Sequence, residues 1–240
     1  MMRVLSATNL KIIAIILMFG DHVHQMFSGA PVALNVLGRA VFPIFMFVVA
    51  ESFHHTRSKG KFILRLGIAS AAMAVGSILL MRVLPNADLQ IWNSAFSCFF
   101  VTAIYMLAVD YFRKGNAAEG LLLAIIPILL AIPVLLLEDN RTALLIPSLL
   151  TLLDGGWFMV ALGVLFYIFR ENRVGQVIIL LAFSVGSYFA FNNVIQPWMA
   201  LAIIPIIMYN GAKGRGLKWL FYGFYPIHIW VLYIIATMIK

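Results

Sequence analysis

The chain has 240 residues, 63% of them hydrophobic and 11% charged, with a formal net charge of +8 and a mean hydropathy of +1.01. Globular proteins carry about 45–50% apolar and about 25% charged residues, and a soluble fold this small could not hide the excess from water. The composition excludes a soluble enzyme, a disordered chain and a secreted disulfide scaffold, and points to an integral membrane protein.

A helix needs about 20 apolar residues to cross the hydrocarbon. Nine predicted spans follow, at roughly 9–27, 34–53, 62–83, 92–112, 120–137, 145–169, 174–191, 196–209 and 218–239. Their connections are short and punctuated by turn formers, as in Pro85-Asn86-Ala87-Asp88 and Asn210-Gly211. The sixth span is long, and Asp154-Gly155-Gly156 divides it into an outer piece and a main span. The eighth is short and carries Pro197 and Pro205, which bend it. No soluble domain, long linker or internal repeat is visible. The chain reads as one transmembrane domain over 1–240, an all-α polytopic bundle in the cell membrane.

Charge sets the expected orientation. With the N-terminus cytoplasmic, Arg3, Lys11, Arg57, Lys59, Lys61, Arg65, Arg113, Lys114, Arg170, Arg173, Lys213, Arg215 and Lys218 fall inside, thirteen against the four of Arg39, Arg82, Arg141 and Lys240. The positive charge is thus a topology signal, and no nucleic-acid partner is expected. The start loosely resembles a signal peptide, with Arg3, an apolar run and Ser28-Gly29-Ala30, but Lys11 and Asp21-His22 lie in or beside that run and argue against cleavage. Cys98 is the one cysteine, so no internal disulfide forms.

Charged groups at membrane depth are costly and mark function by default. The first span holds Lys11, Asp21 and His22, the second Arg39 and Glu51, the sixth Asp154 and the ninth His228. His22 and Arg39 fall about 6 Å outward of their span centres, and Asp154 and His228 fall near the middle of theirs. Four helices therefore bring polar groups to a similar level. Lys11 and His22 are eleven residues apart, about 20° past three full turns, so they share a face with Ile15 and Met18, some 16 Å apart along the axis. One face would reach from cytosolic water to an imidazole suited to general acid–base work. Asp21 could orient His22, although neighbouring residues on a helix diverge by about 100° and it could serve another group.

Plainer readings exist for each. Asp21-His22 fits a solvated outer helix end, Arg39 an interhelical ion pair, Lys11 and Glu51 snorkelling groups, and His228 a packed core histidine. The dense segment His54-His55-Thr56-Arg57-Ser58-Lys59-Gly60-Lys61 fits a topology signal, an anionic-lipid site or a grip on the phosphates of a nucleotide-like cofactor. Other chemistries drop out. There is no Gly-rich phosphate loop ending in Lys-Ser/Thr, no His-Glu-x-x-His and no Gly-x-Ser-x-Gly. His22-Val-His24 and Glu51-x-x-His54-His55 look metal-like but fall on opposite sides of the membrane, so no metal is expected.

Leu10-Lys11-Ile12-Ile13-Ala14-Ile15-Ile16-Leu17-Met18 followed by Asp21-His22 resembles the opening of the TraX family. So do Leu37-Gly38-Arg39 with Phe42-Pro43-Ile44-Phe45, Glu51-Ser52-Phe53-His54-His55-Thr56-Arg57, Tyr209-Asn210-Gly211 and the closing Phe224-Tyr225-Pro226-Ile227-His228. The resemblance covers nearly the whole chain and is most specific in the first 65 residues. It implies a membrane-embedded acetyltransferase, whose name-giving relatives N-acetylate pilin subunits. It also implies kinship with transmembrane acyltransferases that draw on cytosolic acyl-CoA. One branch of those carries a basic residue, ten residues and then a catalytic histidine, the spacing of Lys11 and His22.

The expected function is acetyl transfer from acetyl-CoA to an amine or hydroxyl of a peptide, glycan or lipid acceptor at or beyond the membrane. His22 would be the base or a transient acetyl carrier, Asp21 its orienting partner, and Arg39 an oxyanion or acid partner. Lys11, His54, His55, Arg57, Lys59 and Lys61 would hold the CoA phosphates. Glu51, Asn93, Asp154 and His228 would form the acceptor side. Membrane lipids complete the expected partners. The competing expectation is a proton-coupled transporter, since intramembrane Asp, Glu, His and Arg also suit a proton relay; the inverted repeat that would favour it is not visible.

Overall fold

A computed structural model describes residues 3–91, 95–136, 146 and 156–239. Helices α1 Ala7–Met26, α2 Val32–Gly38, α3 Val41–His55, α4 Lys59–Val83, α5 Ala95–Arg113, α6 Ala117–Leu129, α7 Ala131–Leu136 and α8 Gly156–Ile168 follow in order. Then come α9 Arg173–Phe191, a 3-10 helix Gln196–Ala202, α10 Ile203–Ile207 and α11 Lys218–Ile239. The described residues contain no strand, only an isolated parallel bridge between Leu5 and Tyr209. The all-α expectation is met.

Among the described residues five stretches are long and apolar enough to cross a membrane: Val32–His55, Lys59–Val83, Ala95–Arg113, Arg173–Phe191 and Trp219–Ile239. Ala117–Pro133, Gly156–Ile168 and Gln196–Ile207 are shorter apolar helices. Their outer faces are apolar: Leu64, Ile68 and Leu79 on α4 and Val174, Ile178 and Val185 on α9 are exposed. Such a surface is stable against lipid and prone to aggregate in water.

Polar side chains start the helices. Ser6 and Asn9 form a capping box on α1, Ser58 accepts from the Lys61 amide, and Asn172 accepts from the Gly175 amide. Proline divides spans that the hydropathy reads as continuous. Pro43, Pro133 and Pro205 are each the third residue of α3, α7 and α10. A proline there supplies no amide for the carbonyl four residues back. The chain accordingly breaks at Arg39-Ala40 and at Leu130, and it changes from 3-10 to α winding at Ile203. Pro197 lies in this 3-10 segment and Pro205 in the α-helical turn that follows it.

Met1–Val48 with Phe169–Lys240 form one compact unit, and Val49–Ile168 form another. In the first, α1 packs on α2 and α11, while the 3-10 helix packs on α2 and α9. The buried stripe of α1 is Leu10, Ala14, Met18 and His22; Ile12, Ile16 and Phe19 face outward. In the second unit α5 packs on α4, α6 and α8. The Ser70 and Ser97 hydroxyls bond at 2.6 Å between α4 and α5, a contact worth about 0.6 kcal/mol in a membrane bundle. Asp110 on α5 takes the Lys59 ammonium and, at 2.6 Å, the Tyr167 hydroxyl. Lys59 also lies 4.8 Å from the Phe53 ring centre.

Candidate functional site

The polar groups of the first unit gather around α1. Asp21 and His22 lie on its C-terminal half, adjacent in the chain, and the helix turns them to different neighbours. Asp21 faces α2. Arg39 Nη2 donates to both Asp21 oxygens at 2.8 and 3.0 Å, and Asn35 Nδ2 donates to Oδ1 at 3.2 Å. Arg39 Nη1 reaches Gln196 Oε1 at 3.3 Å, and its Nε bonds the Asn35 carbonyl at 3.2 Å. The guanidinium fork therefore joins α1, α2 and the 3-10 helix, a use for which Lys has the wrong geometry. Of the two roles open to Asp21 in the sequence, service to a second group is the one its contacts display.

This pair needs a close approach of α2 to α1, which Gly38 provides. A Cβ at Gly38 would stand 2.5 Å from Asp21 Cβ and Cγ. Asp21 cannot swing away without leaving Arg39. Gly38→Ala is expected to cost about 1–3 kcal/mol by overpacking, read as a fall in the unfolding midpoint in detergent. Gly60→Ala, where nothing lies within 4 Å of the added carbon, is the control with no such fall.

His22 faces α11. Its Nδ1 stands 2.8 Å from His228 Nε2, and both rings are buried. His228 Nδ1 lies 2.6 Å from the Phe224 carbonyl, one turn earlier on α11. A carbonyl only accepts, so His228 Nδ1 carries the hydrogen. In the neutral ring Nε2 is then the acceptor, and His22 donates to it from Nδ1. The lone pair of His22 is left on Nε2, the basic nitrogen of the pair. Phe224 stacks on His228 with ring centres 4.6 Å apart, and Tyr225 meets it edge-on at 6.0 Å. These rings hold the imidazole in plane. A carbonyl, two imidazoles and aromatic walls thus form a buried polar cluster between α1 and α11.

Lys11 lies 5.2 Å from the centre of the Phe221 ring, so both Lys11 and His22 touch α11. The shared face read from their spacing is present, and α1 and α11 run in the same direction. In the second unit, Glu51 is 4.0 Å from His55, and the rings of His54 and His55 meet edge-on. The Lys59 ammonium is taken by Asp110, while Arg57 and Lys61 are exposed. Asn93 and Asp154 lie outside the described residues. Among the described residues no three His, Cys, Asp or Glu side chains gather as metal ligands.

Several partners were not legible. Asn35 is four residues before Arg39, so the two share a face of α2; that spacing was an available signal. Gln196 carried none, because its contact depends on how the 3-10 helix returns to α2. The Phe224 carbonyl is backbone and has no side-chain signature.

An all-helical bundle with an apolar exterior, a buried histidine pair and a clamped aspartate defines a membrane protein with an internal polar site. The profile of the family described as TraX protein matches residues 6–236, and the chain belongs to that family. It is also similar to a probable fimbrial assembly protein, FimC of serogroup H1, from Dichelobacter nodosus. The two are 27% identical over 248 residues, covering 95% of this chain and 94% of that protein. No solved structure matches it.

Proposed function

We propose that the protein is an integral-membrane acetyltransferase that moves an acetyl group from cytosolic acetyl-CoA to a nucleophile presented at or beyond the membrane. The observation that carries this reading is the His22–His228 pair, whose Phe224-bound tautomer makes His22 Nε2 a base. His22 Nε2 removes the proton of an acceptor hydroxyl or neutral amine as its oxygen or nitrogen attacks the thioester carbon. The tetrahedral adduct collapses, the carbon–sulfur bond breaks, and the proton on Nε2 passes to the departing thiolate. The products are acetylated acceptor and CoA, and the enzyme regains its starting state.

His228 is a positioning residue in this scheme, and Asp21 and Arg39 hold the C-terminal half of α1 in register beside it. Lys11, on the same helix as His22, suits the donor's phosphates. The relative named for fimbrial assembly supports a pilin-type subunit as acceptor, with its terminal amine as the nucleophile.

Thermal unfolding of the purified full-length protein with and without acetyl-CoA tests the donor. Each tenfold excess over the dissociation constant adds about 1.4 kcal/mol to the native state, so a clear rise in midpoint is expected. No rise at millimolar acetyl-CoA, together with proton flux in vesicles that ignores CoA, would replace this reading with the proton-coupled transporter.

A further inference from the structure

The segment Asn210-Gly211-Ala212-Lys213-Gly214-Arg215-Gly216-Leu217, between α10 and α11, is exposed throughout yet firmly held. Asn210 Oδ1 accepts from the Ala212 amide at 2.8 Å, and Gly211 and Gly214 adopt φ of 84° and 73°. The start of the chain is stitched to it. The Leu5 amide donates to the Met208 carbonyl at 2.9 Å, Asn210 to Leu5 at 2.9 Å, and Ala7 to Ala212 at 2.8 Å. The Thr8 hydroxyl lies 3.1 Å from the Lys213 carbonyl and 2.6 Å from that of Arg215. A Cβ at Gly214 would stand 2.8 Å from Thr8 Oγ1, so the loop lies directly on α1. The Ala212, Lys213 and Arg215 carbonyls, which would repel an anion, are turned onto the start of α1 and used there. Lys213 and Arg215 remain at the surface.

Among the described residues these cations have no acidic partner. The only acids in the sequence of this unit, Asp21 and Glu171, are bonded to Arg39 and Arg170. Among the described residues no ion pair involves Lys11, Lys213 or Arg215. Lys11 stands three residues after Thr8 on α1, and the Thr8 hydroxyl meets the Lys213 and Arg215 carbonyls, so the three cations share one end of the helix. A fold that holds like charges together with no carboxylate between them carries an electrostatic cost, which a multivalent anion would relieve. Glycines at the turns let an anion approach the backbone closely.

We infer that the loop 210–217 and Lys11 form a phosphate-binding cradle, and that its ligand is the nucleotide end of the acyl donor. The choice of ligand rests on the acetyl-CoA reading; the phosphate chemistry rests on the cluster itself. Lys11 stands about 16 Å along α1 from His22, a distance suited to an extended pantetheine arm with phosphates at one end and the thioester at the other. An anionic lipid headgroup offers the same phosphate chemistry from a second source.

The test is equilibrium binding of CoA and 3′-dephospho-CoA to the full-length protein in phosphatidylcholine nanodiscs, with and without phosphatidylglycerol. Lys213→Ala with Arg215→Ala removes both charges and leaves every backbone bond of the loop in place, and an unchanged unfolding midpoint checks the fold. Wild type is expected to bind CoA more tightly than its dephospho form. The double variant should bind CoA roughly 10–100-fold more weakly, about tenfold per charge-assisted contact, and lose the discrimination. Unchanged CoA affinity in the variant overturns the cradle. Unchanged CoA affinity with loss of a phosphatidylglycerol-dependent stabilisation assigns it to lipid and overturns the nucleotide. Wild type that binds no CoA at all overturns the acyl-donor reading instead, which separates the two failures.

Discussion

Replacing His22 by glutamine is expected to lower acetyl transfer by about 10²–10⁴-fold, the usual contribution of a positioned general base, with little change in acetyl-CoA binding. The amide fills much the same space and can still donate toward His228, but it has no nitrogen able to take the acceptor's proton. His228→Gln should have a smaller effect, on the order of 10–100-fold, by analogy with outer partners that orient a working histidine. That glutamine can still offer an oxygen to His22 Nδ1, whereas His228→Phe cannot. Phenylalanine would bury an unsatisfied N–H, which costs about 1–3 kcal/mol, and it would free His22 to take the tautomer with its lone pair on Nδ1. The order expected is therefore wild type, His228→Gln, His228→Phe, His22→Gln. The rate of each active form should fall on the acid side, where a protonated His22 has no lone pair to offer. Single-turnover transfer from labelled acetyl-CoA to a peptide acceptor reads the order directly. Full transfer by a correctly folded His22→Gln protein would remove His22 from the chemistry.

The sequence makes the helices legible because each long apolar run ends at a group that prefers water or cannot continue a helix. Expected spans 174–191 and 218–239 correspond to Arg173–Phe191 and Lys218–Ile239, and 62–83 falls short of Lys59–Val83 by the capped first turn. The break expected beside Asp154-Gly155-Gly156 falls at the edge of the described residues, where α8 runs over Gly156–Ile168. Breaks inside apolar runs were not legible. Hydropathy averages over the residues around Arg39 and Leu130, while the missing amides of Pro43 and Pro133 act at single carbonyls. The site followed the same division. The shared face of Lys11 and His22 is a matter of helical period within one element. The joining of His22 to His228, 206 residues later in the chain, is set by packing that no local spacing encodes. Local reading also missed the loop at 210–217, because its meaning lies in the stitching to Leu5, Ala7 and Thr8.

Removing either member of the Asp21–Arg39 pair should destabilise the fold more than removing both. The pair is about three-quarters enclosed, with side-chain exposures of 27% for Arg39 and 19% for Asp21. Breaking a fully buried pair costs about 3–5 kcal/mol because the survivor keeps its charge without compensation. Partial exposure lowers that to about 2–3 kcal/mol for Asp21→Asn or Arg39→Gln. Asp21→Asn with Arg39→Gln leaves two neutral amides that can still bond to each other, to Asn35 and to Gln196, so the double variant is expected to cost less than either single one, recovering about 3 kcal/mol of the summed losses, the non-additivity of groups in contact. The coupling should also appear in activity. Asp21 adjoins His22 in the chain, so a shift of the C-terminal half of α1 would spoil the 2.8 Å contact to His228. Transfer should fall in both single variants and return in part in the double one. Unfolding midpoints in detergent and initial rates on the same preparations check both. Strict additivity in stability would mean that Asp21 and Arg39 act separately, and that the clamp joining α1, α2 and the 3-10 helix is not what holds His22 in place.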